Sequence, residues 1–138
     1  GDAMRSVGLL VVSAAAVIML LPGLSNQRQI DKSQAAFRAK DFERSKSAAD
    51  KAIQAQSWSA TAYGQKALAL EASGELEAAL SAIEIAQAKE PFSWRWPFVI
   101  SRIEVRLGHP EQARAAFARA RELRRFSSIF GDASPPIR

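Results

Sequence analysis

Residues 74–91 read GELEAALSAIEIAQAKEP, and residues 108–125 read GHPEQARAAFARARELRR. Set one above the other, they share glycine at Gly74 and Gly108 and glutamate at Glu77 and Glu111. They also share alanine at Ala79 and Ala113, at Ala82 and Ala116, and at Ala86 and Ala120. Each stretch spaces its apolar residues by three and four: Leu76, Ala79, Leu80, Ile83 and Ala86 in one, Ala113, Ala116, Phe117, Ala120 and Leu123 in the other. That spacing gathers them on one face of an α-helix. Gly74 and Gly108 suit the left-handed position that ends a preceding helix, and Pro110 suits the first turn of the next.

Working outward, residues 26–125 show no strand-like alternation. Breaks fall at Lys40-Asp41, Ser57-Trp58-Ser59, Ser73-Gly74, Glu90-Pro91 and Gly108-His109-Pro110. They predict six helices of about 11–16 residues joined by tight turns, the pattern of antiparallel hairpins. The step between the two stretches also reaches back to Glu43, Ala48 and Ala52, with Ser45 at the place of Ala79 and Ala49 at that of Ile83. A helix–turn–helix unit of about 34 residues has the length of the tetratricopeptide repeat. The residues resemble that family's pattern. The second copy carries Tyr63, Ala67, Leu70, Gly74, Ala79, Ile83, Ala86 and Pro91 on the signature positions. The third carries Ser101, Gly108, Ala113, Phe117 and Ala120, and departs from the pattern at Glu104 and Arg125. The first keeps Phe42, Ala52 and the Lys40-Asp41-Phe42 turn but lacks the glycine. The resemblance implies an all-α domain over 26–125, about three repeats (26–59, 60–93 and 94–127) in a short right-handed solenoid, followed by a tail over 126–138. Ala and Gly at the helix crossings admit large residues of a neighbouring helix.

Before this domain, Val7 to Leu24 reads VGLLVVSAAAVIMLLPGL, an apolar run without a charge. A helix of about 20 apolar residues spans a bilayer, so residues 1–25 are expected to form a membrane-spanning anchor or signal-anchor. A cleaved signal peptide and the last span of a longer membrane protein are the competing readings. Met4-Arg5 and Gly23-Leu24-Ser25 fit the first, and the start at Gly1-Asp2-Ala3 fits the second. Arg28, Lys32, Arg38 and Lys40 follow the segment and only Arg5 precedes it, which leaves the membrane side open.

The 138 residues contain no cysteine and a single histidine, His109, which excludes a disulfide framework and thiol chemistry and leaves no set of zinc ligands. There is no phosphate-binding loop and no paired-carboxylate constellation, so neither catalysis nor a cofactor is expected. His109, in the turn before Pro110, is expected to cap that helix. The formal charge of +5 lies wholly in residues 95–138, where nine arginines face Glu104, Glu111, Glu122 and Asp132. With no recognition motif, nucleic acid is not an expected partner.

In the resembled family the first helices of successive repeats line a concave groove that binds an extended peptide. Carried over by position, the groove would present Gln27, Ile30, Gln34, Phe37 and Arg38, then Thr61, Gly64, Leu68 and Glu71, then Arg95, Phe98, Arg102, Val105 and Arg106. Arg95, Arg102 and Arg106 are spaced by seven and four and share a helix face. Such a row suits an acidic peptide, or an anionic glycan or lipid; pairing of Arg102 or Arg106 with Glu71 is the alternative. The family's carboxylate clamp of Lys and Asn is not reproduced. A second group, Arg114, Arg119, Arg121, Arg124 and Arg125, reads as a polar end cap or as a surface for anionic headgroups. Trp58 and Trp94 lie at repeat boundaries and are expected to pack, whereas Trp96 is expected to be more exposed and open to stacking. The expected function is a membrane-anchored module of a bacterial cell envelope that binds a partner protein's peptide. The last 50 residues, through Glu90-Pro91, Trp94-Arg95, Ser101-Arg102-Ile103-Glu104, Gly108, Ala120-Arg121-Glu122-Leu123, Ser127, Ser128 and Phe130, also resemble the carboxyl-terminal tails of O-antigen ligase-like polysaccharide polymerases. That would make the chain the tail of a multi-span enzyme.

Overall fold

The computed structural model describes residues 25–129. These form six helices and no strand: α1 (25–38), α2 (Phe42–Ala55), α3 (Ala60–Ala72), α4 (Leu76–Lys89), α5 (Arg95–Leu107) and α6 (Pro110–Ile129). Short polar signals set the starts. Asp41 accepts the N–H of Arg44 at the head of α2, and the Ser59 hydroxyl accepts that of Ala62 at the head of α3. Pro110 opens α6, where its missing N–H would have had no helical partner.

The ends of α1, α3 and α5 are one device used three times. Lys40, Gly74 and Gly108, each one repeat from the next, have φ of 60°, 84° and 81°. In each case that residue's N–H bonds a carbonyl three residues back: Phe37, Glu71 and Val105. The following N–H, of Asp41, Glu75 and His109, bonds the carbonyl five residues back: Ala36, Leu70 and Glu104. The paired bonds satisfy carbonyls that the helix end leaves open and turn the chain back on itself. The first copy makes this turn with lysine, despite the Cβ that disfavours the left-handed region.

Each helix packs on the next in chain order, so three antiparallel hairpins stack. Within the first hairpin, Ser33 and Ser45 are fully buried and reciprocal: each hydroxyl donates to the other's backbone carbonyl, at 2.8 and 2.9 Å. The second hairpin has Ala67 and Ala79 at these positions, both fully buried. Asn26 donates to the carbonyl of Ala52, and Phe37 lies 5.5 Å from Phe42. The main core joins the last two hairpins through Ala67, Leu70, Ala79, Ile83, Ala86, Trp96, Ile100 and Ile103. Ile83 and Ile103 have no exposed surface, each worth about 1.5–3 kcal/mol of burial.

Two expectations need correction here. Phe117, read as a core position, is 47% exposed because it lies on the outer side of the last described hairpin, where no described residue covers it. Trp58, read as packed, is exposed in the four-residue connection between α2 and α3. Among the described residues no helix is long and apolar enough to cross a membrane. The expected span over 7–24 and the tail from residue 130 lie outside the described residues.

Candidate functional site

The first helix of each hairpin contributes one wall of a groove of about 530 Å³. From α1 come Gln34, Phe37 and Arg38, and from α3 Thr61, Gln65 and Leu68. The third wall is Trp94, just before α5, with Arg95, Trp96, Phe98, Val99 and Arg102 of α5. Three arginines share this surface with Phe37, Leu68, Phe98, Val99 and two tryptophans, Trp94 and Trp96, and no carboxylate lines it. Among the described residues Arg38 and Arg95 have no carboxylate partner. Trp94 stands edge-on to Phe98 at 6.3 Å, and the Arg124 guanidinium of α6 lies 5.2 Å from the Trp94 ring. These contacts from both sides hold the indole at the groove's rim.

Of the eight residues singled out from the sequence, the groove gathers Gln34, Arg38, Leu68, Arg95, Phe98 and Arg102. Glu71 and Arg106 stand apart from its lining. Glu71 is buried, and Arg102 grips it with two parallel bonds: Nε to Oε1 at 2.7 Å and Nη2 to Oε2 at 2.6 Å. Arg106 donates to the backbone carbonyl of Glu71 at 2.8 Å. Hydrogen bonding to Glu71 raises the Arg102 pKa against the opposing effect of burial. The pair therefore ties α3 to α5, and Arg102 reaches the groove with the donors of one side already engaged. A buried carboxylate held this way needs its partner, because leaving it unpaired is strongly unfavourable.

The close approach of α3 and α5 corrects two more expectations. Gly64, expected to face the groove, is buried beneath Trp96; a Cβ built on it would lie 2.5 Å from the indole. Trp96, expected to be exposed, is 7% exposed and fills that gap, with no hydrogen-bond partner for its Nε1 among the described residues. Only glycine lets a six-membered ring approach the helix backbone so closely. Ile30 is likewise in the core with Ala52 and Ala62, and Val105 lies beyond the groove on the end of the stack. Of the groove positions missed in the sequence, Gln65 and Val99 sit one helical step from Thr61, Leu68, Arg95 and Arg102, so the same periodicity would have supplied them. Trp94, expected to pack at a repeat boundary, lines the groove as well.

His109 does not cap α6 with its side chain. Its Nδ1 lies 2.7 Å from Oε2 of the largely buried Glu104, across the turn. The second arginine group splits up: Arg119 pairs with Glu122 at 2.9 Å, Arg114 lies 3.9 Å from Glu111, Arg124 covers Trp94, and Arg121 and Arg125 are exposed. Among the described residues no three acidic or imidazole side chains converge where a metal could sit. What the groove offers chemically is cations beside apolar and aromatic surface, which is equipment for holding a ligand.

No protein-family model matches the chain, and no curated protein matches its sequence. Solved structures do. MamA is similar with a TM-score of 0.71 and 21% identity over 75% of this chain and 61% of that one, so the chain spans less than two thirds of that protein. The Yersinia enterocolitica type III secretion translocator chaperone SycD gives 0.73 and 13%, over 78% and 82%. PcrH, solved in complex with the chaperone binding region of PopB, gives 0.72 and 15%, over 78% and 86%. These are helical-repeat proteins of the tetratricopeptide type, and the likeness establishes that fold for this chain.

Proposed function

We propose that this chain is a protein-interaction module whose concave groove holds an extended, acidic segment of a partner protein, and that it acts by binding and not by catalysis. The observation that carries this reading is the groove lining: Arg38, Arg95 and Arg102 around Phe37, Leu68 and Phe98, with no acidic residue among them. Arginine forks match carboxylates, and the apolar strip between them takes alternate side chains of an extended chain. The complex of PcrH with the chaperone binding region of PopB supports it, since a protein of the same fold binds a segment of a partner protein. Arg38 and Arg95 are the contacts to test. Arg102 is a poor probe, because changing it also strands Glu71.

The test is fluorescence anisotropy with two labelled synthetic peptides, one alternating glutamate with leucine and one alternating lysine with leucine. The acidic peptide binds with a salt-dependent Kd, and Arg38→Glu and Arg95→Glu each weaken it about tenfold. Equal binding of the lysine peptide, or indifference to both substitutions, defeats the proposal. We further propose that residues 7–24 carry the module on a membrane of the cell envelope, on the strength of their uncharged apolar run. Recovery of the full chain in the soluble fraction after expression in bacteria would overturn that.

A further inference from the structure

The end of the stack holds a second hollow, of about 390 Å³, between α5 and α6. Its lining repeats, one unit later, the surface that already carries α5. Phe98 stands one repeat after Gly64, Ser101 after Ala67, Val105 after Glu71, Ala113 after Ala79 and Phe117 after Ile83. In the earlier unit Ala67, Ala79 and Ile83 form one core with Trp96, Val99, Ile100 and Ile103 of α5. There Gly64 receives the Trp96 ring and Glu71 receives Arg102. In the last unit no described residue fills the same seat: Val105 is 66% exposed and Phe98 41%. We propose that this end face is a docking seat for an amphipathic α-helix of a partner protein, lying across α5 and α6 as α5 lies across α3 and α4.

The differences between the two seats state the chemistry of the occupant. Phe98 fills the place that Gly64 leaves empty, so the incoming helix needs Ala or Gly where α5 has Trp96. Val105 replaces Glu71, so an apolar residue takes the position of Arg102. Arg114 replaces Leu80, and its nearest carboxylate, Glu111, lies at 3.9 Å on an exposed surface, so the helix carries an acidic flank. A second copy of the chain does not fit. Two repeat steps carry Trp96, Val99, Ile100 and Ile103 back to Arg28, Asp31, Lys32 and Ala35 of α1, all exposed. The amino-terminal helix would thus bring three charges to an apolar seat. Two carboxyl-terminal faces would set arginine against arginine, with no acid in either lining.

The experiment uses the full chain and two labelled synthetic helices patterned on residues 94–107. Both carry leucine for Arg102 and glutamate on the flank; one has alanine and the other tryptophan at the place of Trp96. By anisotropy the alanine peptide binds saturably and the tryptophan peptide about tenfold more weakly or worse. Val105→Asp abolishes binding with an unchanged circular dichroism spectrum, and Arg38→Glu in the groove leaves it intact. No saturable binding of the alanine peptide, no preference between the peptides, or loss of binding with Arg38→Glu but not Val105→Asp overturns the proposal. Concentration-dependent dimers in sedimentation velocity that Val105→Asp dissolves would assign the face to a second copy and overturn it too.

Discussion

Replacing Lys40 by glycine is expected to stabilise the protein, while replacing Gly74 or Gly108 by alanine is expected to destabilise it. All three residues hold the same turn with φ between 60° and 84°, and all three are exposed. A Cβ added at Gly74 or Gly108 meets nothing within 4 Å, so no steric contact with the rest of the molecule complicates the comparison. What remains is the backbone. An L-residue in the left-handed region is disfavoured by about 1–2 kcal/mol. Against this, losing glycine reduces the freedom of the unfolded chain, worth about 0.4–1 kcal/mol in the opposite direction. The net is about 1 kcal/mol lost for each alanine and about the same gained for Lys40→Gly. In a domain of this size about 1 kcal/mol corresponds to about 4–8 °C in Tm. Urea unfolding followed by far-UV circular dichroism measures it, with an unchanged slope as the check that only stability moved. The turns are far apart, so Lys40→Gly with Gly108→Ala should return close to the wild-type midpoint. A fall in stability for Lys40→Gly comparable to that for Gly74→Ala would refute the reasoning, because backbone strain would then not be what the three positions share.

Gly64→Ala should lower stability by about 1–3 kcal/mol through overpacking, and a Trp96→Leu partner substitution should recover part of the loss; thermal melts of the two variants and the double mutant decide it. Arg102→Ala should destabilise more than the double change Arg102→Ala with Glu71→Ala, since the single change leaves a buried carboxylate without its two bonds. Equal denaturation midpoints for the single and double variants would show that Glu71 finds another partner.

The hairpin architecture was legible because its signals are local. Apolar spacing, the two glycines and Pro110 each act within a few residues of where they stand, and the repeat step multiplied the evidence. Even Lys40 was within reach of that step, since it lies one repeat before Gly74; composition hid it, as lysine gives no hint of a left-handed turn. The groove was legible through the resemblance to the tetratricopeptide repeat, whose positions carried over brought Gln34, Arg38, Leu68, Arg95, Phe98 and Arg102 to one surface. What failed were the positions decided between helices. Gly64 and Trp96 stand on different helices, and neither shows in its own neighbourhood that one is a gap and the other its filler. Glu71, expected in the groove, lies instead buried under Arg102 and Arg106, which depends on how closely α3 and α5 approach.

The Trp96–Gly64 contact also bears on how the chain finds its order. Repeats that look alike can stack on the wrong neighbour during folding, and arrays of near-identical units are prone to such exchange. Here the units are not interchangeable. The Trp96 ring enters only a helix with glycine at that depth; the first unit has Ile30 at the equivalent place and the third has Phe98. A mis-stacked α5 would drive its indole into a side chain, so the wrong sequence of units is rejected by steric exclusion. A single glycine thus acts as an address, telling the third repeat which surface is its own.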